Sequence, residues 1–391
     1  FSPVINGKVL PCSDVEPCFA PDGDIVFQST RIGQLDACWP TSCSNLYKCD
    51  LNGRYIRRLA IDQVATLDPQ VLDDGRIIYT RWEYNDRTQV YPQPLFVMNP
   101  DGTAQTAFYG GNSDYPTALL HCRGIPGTNK VISIVSGHHT VRKGKLAIID
   151  RTKGSEGNSG IEYVAGASPD GKPGRQLSNI PSNFSEAFPF PCDFFGQVGP
   201  QWQYPYALDE EHYLVAFHPE GCHFPKGPFN PPFGVYYMTA DGRRELLAFD
   251  WSISCGETIP VMPRKQPPVK PSLVDWKQNV GTFYVQDVHL GPGMKGVKKG
   301  AAKRLRVVAL EYRAAGVGSN TNSGRGTGSP NQTPPSIGGG TWDVKHVLGE
   351  VDIEADGSAY FEVPARTGVY FQLLDEKGRC VQTMRSWTMV Q

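Results

Sequence analysis

DPQVLDDGRIIYT, residues 68–80, runs from an acidic residue and Pro through Asp-Gly into a β-rich stretch. Asp74-Gly75 supplies the positive φ angles that a tight hairpin needs. Ile77-Ile78-Tyr79 carries the branched and aromatic side chains that fit a pleated, half-buried surface. The same order stands upstream, where Glu16-Pro17 leads to Asp22-Gly23 and Ile25-Val26-Phe27. Downstream, Asp114-Tyr115-Pro116 leads through Pro126-Gly127-Thr128-Asn129 to Val131-Ile132-Ser133-Ile134. A fourth copy places Tyr213-Leu214-Val215-Ala216-Phe217 after Pro205 and Asp209. A second signal, a strand and then a turn, alternates with the first. Leu46–Cys49 precedes Asp50-Leu51-Asn52-Gly53, and Leu95–Met98 precedes Asn99-Pro100-Asp101-Gly102. Leu146–Ile149 precedes Asp150–Gly154, and Val235–Met238 precedes Thr239-Ala240-Asp241-Gly242.

Ile25 and Ile77 lie 52 residues apart, Ile77 and Val131 54. A period near fifty with about four strands in each unit is that of a propeller blade. The repeats resemble the TolB-type, WD40-like propeller motif. The expected fold is all-β: a propeller over residues 1–262 with four clear blades, then a Pro-rich connector over 263–272. A smaller, β-sandwich-like domain follows over 273–391, with a flexible insertion at 314–340, where Gly, Ser, Asn and Pro show no apolar period. A ring left open exposes strand edges. Either Phe283–Asp287 and Leu305–Leu310 complete it, or another chain or a missing segment does; a ring completed in part by strands outside the clear repeats is the favoured expectation.

Net charge is −1, from 38 basic and 39 acidic residues, so no whole-molecule field favours nucleic acid. No apolar stretch approaches the length of a membrane helix. One basic cluster, Lys295, Lys298, Lys299, Lys303, Arg304 and Arg306, reads as a solvated hairpin. The ten cysteines include close neighbours, Cys12 with Cys18 and Cys38, Cys43 and Cys49, a pattern that suits disulfides in an oxidising compartment. The chain opens at Phe1 without Met or an apolar leader, as a processed export product does. The expected location is extracytoplasmic, periplasmic or extracellular.

His218, Cys222 and His223 fall within six residues in HPEGCH, and imidazole with thiolate suits zinc or copper. Cys192 is their upstream neighbour, and a Cys192–Cys222 disulfide is the competing reading. His138-His139, in SGHHT, is the second metal candidate, a loop pair at the edge of a blade. Adjacent side chains on an extended chain point to opposite faces, which leaves one of the two for structure. His121-Cys122 lies just upstream. Arg81-Trp82-Glu83-Tyr84-Asn85-Asp86-Arg87 reads as a buried ion network tying blades together, or as a polar binding surface. His-Glu-x-x-His, Gly-x-Ser-x-Gly and Gly-x-x-x-x-Gly-Lys are all missing, so no catalytic residue is assigned.

Long stretches resemble the hydrazine synthase alpha-subunit-like family of exported, often haem-bearing proteins. They are DGRIIYTRWEYNDR (74–87), PLFVMNPDGT (94–103), GHH with KLAIID (137–150) and DGRRELLAFDWSISC (241–255). PSLVDW with GTFYVQDV (271–288) and the run from Val347 to Gln391 complete them. The resemblance implies a propeller followed by a β-rich domain that, in haem-bearing relatives, packs beside a c-type haem. It implies protein partners, a c-type cytochrome among them, and a role as scaffold or electron-transfer subunit of an exported redox assembly. Covalent haem needs Cys-x-x-Cys-His. The chain has no such sequence: at Cys222-His223 the first position of the motif is Pro219. A c-type haem is therefore implied by the resemblance and not by these residues. The alternative is a haem-less binding or structural propeller of the cell envelope.

Overall fold

The structure is a computed structural model. It describes residues 4–5, 7–9, 11–35, 42–62, 64–83, 92–113, 116–137, 142–164, 199–219, 232–310, 313–314, 345–384 and 386–391. The described residues hold strands and short 3-10 turns and no α-helix, so none is long and apolar enough to cross a membrane.

A short ladder, β1 (Val4–Ile5) with β2 (Lys8–Val9), precedes the first blade. That blade is a four-stranded antiparallel meander of β3 (Asp14–Phe19), β4 (Ile25–Ser29), β6 (Asn45–Cys49) and β7 (Arg57–Arg58). Between them, β5 (Gln34–Leu35) pairs with the distant β22 (Arg313–Ala314). Blade two is β8 (Thr66–Val71), β9 (Ile77–Arg81), β10 (Leu95–Met98) and β11 (Thr106–Tyr109). Blade three is β12 (Ala118–Gly124), β13 (Val131–Ser136), β14 (Lys145–Ile149) and β15 (Ile161–Tyr163). Blade four is β16 (Gln201–Ala207), β17 (His212–His218), β18 (Gly234–Thr239) and β19 (Arg244–Ala248).

The Asp-Gly turns stand where the repeats put them, with Gly23, Gly75, Gly102 and Gly242 all at positive φ. The second and third strands read as near-continuous apolar runs because blades stack face to face and bury both sides. Val26, Ile78, Val97, Ile132, Ala147 and Val215 are all inaccessible to solvent. One apolar cluster lies between blades two and three, another between blades three and four. The first strand of each blade packs on the next: β3 on β8, β8 on β12, β12 on β16.

The C-terminal unit has its own sheets. β20 (Val280–Val285) pairs with β24 (Ala359–Pro364). β21 (Arg304–Leu310) lies between β23 (Lys345–Asp352) and β25 (Val369–Leu374), and β26 (Cys380–Thr383) adds an edge. Phe283, Phe361 and Phe371 meet at ring separations of 5.3–5.9 Å in its core. The expectation that Phe283–Asp287 and Leu305–Leu310 complete the ring is thus corrected. Leu305–Leu310 are hydrogen-bonded on both sides within this unit and β20 pairs with β24, so among the described residues neither joins a blade.

Residues 249–279, without regular structure for most of their length, run instead as a strap from the last blade to the first two. Cys255 N–H donates to Phe233 O at 2.8 Å, and Gln266 Nε2 to Pro21 O at 2.7 Å. Leu273 N–H donates to Asp101 Oδ2 at 2.7 Å. The insertion expected at 314–340 lies, beyond Ala314, outside the described residues.

Arg81 shows what the Arg81–Arg87 stretch does within its described part. Its buried guanidinium lies 3.2 Å from Asp62 Oδ1 and 3.9 Å from Glu83 Oε1, and donates to Trp387 O at 2.8 Å. Its carbon sits 3.9 Å from the centre of the Trp387 ring, and Trp387 Nε1 donates to Asp62 Oδ1 at 2.6 Å. The network ties the chain's last residues to the first two blades. Tyr84–Arg87 lie outside the described residues. In the basic cluster, Arg304 and Arg306 pair with Glu350 on the neighbouring strand. Cys12, Cys18, Cys49, Cys122, Cys255 and Cys380 are thiols, and no disulfide joins any two of them. Cys38, Cys192 and Cys222 lie outside the described residues.

Candidate functional site

Each blade's first strand carries a β-bulge at the same place. Glu16-Pro17, Asp68-Pro69, His121-Cys122 and Tyr204-Pro205 each stand, two residues against one, opposite the second strand. The first residue of every pair has a left-handed backbone, with φ of 53°, 55°, 51° and 44°. A bulge re-aims the side chain it carries. Proline suits the second position because an unpaired residue loses nothing by lacking an N–H. Left-handed backbone costs a non-glycine residue of the order of 1–3 kcal/mol, and such outliers gather at functional sites. Here four occur in register, one per blade.

The four side chains converge. A carboxylate oxygen of Glu16, one of Asp68 and a ring nitrogen of His121 all lie within 4.8 Å of one another. The Tyr204 ring stands 4.0 Å from the His121 ring, centre to centre. The strap adds Glu257, whose carboxyl hydrogen-bonds that of Glu16. Gly256, beside it, fits against the Tyr204 ring, where a Cβ would come within 3.2 Å.

Asp68 is fully enclosed and fixed. Its backbone N–H donates to Gln28 Oε1 at 3.1 Å, its Oδ2 accepts the His121 N–H at 2.9 Å, and its Oδ1 is ion-paired with Arg142. Burial alone would raise its pKa. The charge of Arg142 and the bonds from His121 outweigh burial and hold it below the usual carboxylate value. Glu16 goes the other way: burial, the bond to Glu257 and the Asp68 charge push it up to about 8. Burial pulls His121 down to about 4, so the imidazole is neutral at pH 7.

A neutral imidazole carries one proton. His121 Nε2 lies 3.0 Å from the Arg142 carbonyl, which only accepts, so the proton is on Nε2. Nδ1 then presents a bare lone pair. It is buried, has no hydrogen-bond partner, and lies 3.8 Å from Asp68 Oδ2. Two carboxylates and an imidazole lone pair form a donor set for a divalent cation. A carboxylic acid near neutral pKa beside a neutral imidazole is equally a proton-handling pair.

Of the metal candidates named from sequence, only His218 is described. It ends β17, buried, its ring 5.9 Å from Phe233, and is not among the three residues whose ligand atoms converge. His138, His139, Cys222 and His223 lie outside the described residues. Sequence reading passed over Glu16 and Asp68 because it took their acidic-Pro pairs as turn punctuation. It also matched Asp114 to them, whereas His121-Cys122 fills that place in blade three. A signal was present: Glu16 and Asp68 each stand nine residues ahead of their second strand, Tyr204 eight and His121 ten. Covalent haem finds no Cys-x-x-Cys-His here, so this chain's residues do not fit one.

Residues 300–391 match the family described as hydrazine synthase alpha subunit middle domain. Among solved structures, Kuenenia stuttgartiensis hydrazine synthase shares 15% identity, a TM-score of 0.70, all of this chain and 55% of its own. The chain thus spans about half the length of that relative. A putative TolB from Agrobacterium tumefaciens shares 11% identity over 63% of this chain and 67% of its own, with a TM-score of 0.37. TolB from Acinetobacter baumannii shares 14% over 59% of this chain and 41% of its own, with a TM-score of 0.32. No curated protein matches in sequence. The last 92 residues thus match the hydrazine synthase alpha subunit middle domain, and the chain along its whole length shares the fold of that solved hydrazine synthase.

Proposed function

We propose that this chain is a subunit of an exported redox assembly of the hydrazine synthase alpha type and acts in it as scaffold. The observation that carries the reading is the match of its entire length to one polypeptide of that enzyme, with the middle-domain match inside it. The domain division belongs to the reading: a propeller over 1–262, the 263–272 connector and the 273–391 unit.

In this proposal the haem comes from a partner or from sequence beyond residues 1–391, because these residues hold no haem-attachment sequence. The strap supports a partner surface. Trp251 is 86% exposed, Leu273 72% and Trp276 52%, along a segment held to the blades by hydrogen bonds. Exposed apolar runs of this kind mark docking surfaces. The clustering of the ten cysteines in sequence is the observation behind an extracytoplasmic setting.

Native material tests the proposal by intact mass of each subunit taken with its visible spectrum. The expected result is a larger complex with a Soret band, carried by a partner or by a longer form of this chain. A chain that runs alone, without absorbance, overturns the redox assembly. It leaves the second reading, a haem-less binding propeller of the cell envelope, which the missing Cys-x-x-Cys-His favours.

A further inference from the structure

We propose that the axial group binds one divalent transition-metal ion through Glu16, Asp68 and His121 Nδ1. This inference rests on the axis alone and stands or falls separately from the subunit role.

Three observations converge on it. The ligands come from three different blades at equivalent bulges, so the fold itself brings them together. The His121 tautomer is set by the Arg142 carbonyl, leaving a buried Nδ1 lone pair that faces a carboxylate. Two acceptors face each other there, and only a cation or a proton between them makes that arrangement favourable. The proton is held on the other nitrogen. Metal-bound histidines are oriented in just this way, the second ring N–H donating to a backbone carbonyl.

Size and chemistry agree. An ion with bonds of about 2.1 Å in a tetrahedral site holds its ligands about 3.4 Å apart. Asp68 and His121 are locked, while the partly exposed Glu16 has the freedom to close the remaining distance. Oxygen donors with one imidazole suit zinc or manganese better than copper(I), which prefers thiolates. The charged groups around the ion are Glu16, Asp68 and Glu257 against Arg142 and Arg123. The Tyr204 ring, 4.0 Å from that of His121, lines the site beside them.

The test uses the full chain after chelator treatment, titrated with Zn2+ by calorimetry at pH 7. Co2+ absorption serves as a second readout. The expected result is one ion per chain. Glu16→Gln, isosteric with the protonated acid, should fold as the wild type and weaken Zn2+ by at least about tenfold. His218→Ala should leave binding unchanged. No stoichiometric uptake overturns the proposal, as does uptake that a folded Glu16→Gln leaves intact. Loss on His218→Ala, with Glu16→Gln unaffected, would place the ion elsewhere and overturn it too.

Discussion

His121 holds a carbonyl with one ring nitrogen and faces Asp68 with the other: Nε2 is 3.0 Å from Arg142 O, and Nδ1 is 3.8 Å from Asp68 Oδ2. The same Asp68 oxygen accepts the His121 backbone N–H at 2.9 Å. Blades two and three are thus joined at the axis by a carboxylate that orients the imidazole beside it. Most consequences of the site follow from how this pair shares its bonds.

Asp68→Asn should be among the most damaging single changes in the chain. It strands the Arg142 guanidinium and weakens the acceptor for the His121 N–H. Breaking a buried pair from one side costs about 3–5 kcal/mol, and Arg142 being partly exposed puts the expected loss near the lower figure. Chemical denaturation of the variant beside the wild type measures it.

Glu16 makes stability fall toward alkaline pH. Its pKa is about 8 in the folded chain against 4.5 for the free group, so the native state binds the proton more tightly. That contribution is whole below about 4.5 and is lost as pH rises through about 8. His121 acts oppositely, its contribution being whole above 6.5 and lost as pH falls through about 4. In chelator-treated protein, melting temperature from pH 5 to 9 should decline at the alkaline end, and Glu16→Gln should flatten that decline. An unchanged slope in the variant would remove Glu16 as its source.

Trp387 fastens the C-terminal residues to blades one and two. Trp387→Phe keeps the ring over Arg81 but removes the Nε1–H that Asp62 accepts, leaving a buried carboxylate short of a donor. The expected cost is about 1–3 kcal/mol, read from denaturant midpoints. Trp387→Ala should cost more, about 3–5 kcal/mol, through loss of the packed ring.

Gly75→Ala should loosen the strap. Gly75 has φ +82°, and a Cβ there would meet Pro268 O at 2.3 Å, against backbone that cannot swing aside as a side chain would. The variant is expected to be cleaved faster by protease within residues 249–279 while the blades resist. Equal cleavage rates would show that the strap is held elsewhere.

The blades were legible in the chain because their signals are local. Asp74-Gly75 and Ile77-Ile78-Tyr79 specify a hairpin through backbone freedom and side-chain shape, and repetition every fifty or so residues turns hairpins into blades. The missing haem motif was legible for the same reason, being a short contiguous pattern. The axial group was not. Glu16, Asp68, His121 and Tyr204 are far apart in sequence and of four residue types, and share only a position within the strand. No local rule says that a left-handed bulge will aim each one inward, or that a strap residue, Glu257, will meet them. Likewise Phe283 and Leu305 read as strands correctly, yet which sheet a strand joins depends on the partners that compete for its hydrogen bonds. Period and turn chemistry act between neighbours in the chain, whereas convergence, pKa and sheet partnership arise between residues that meet only when the chain is folded.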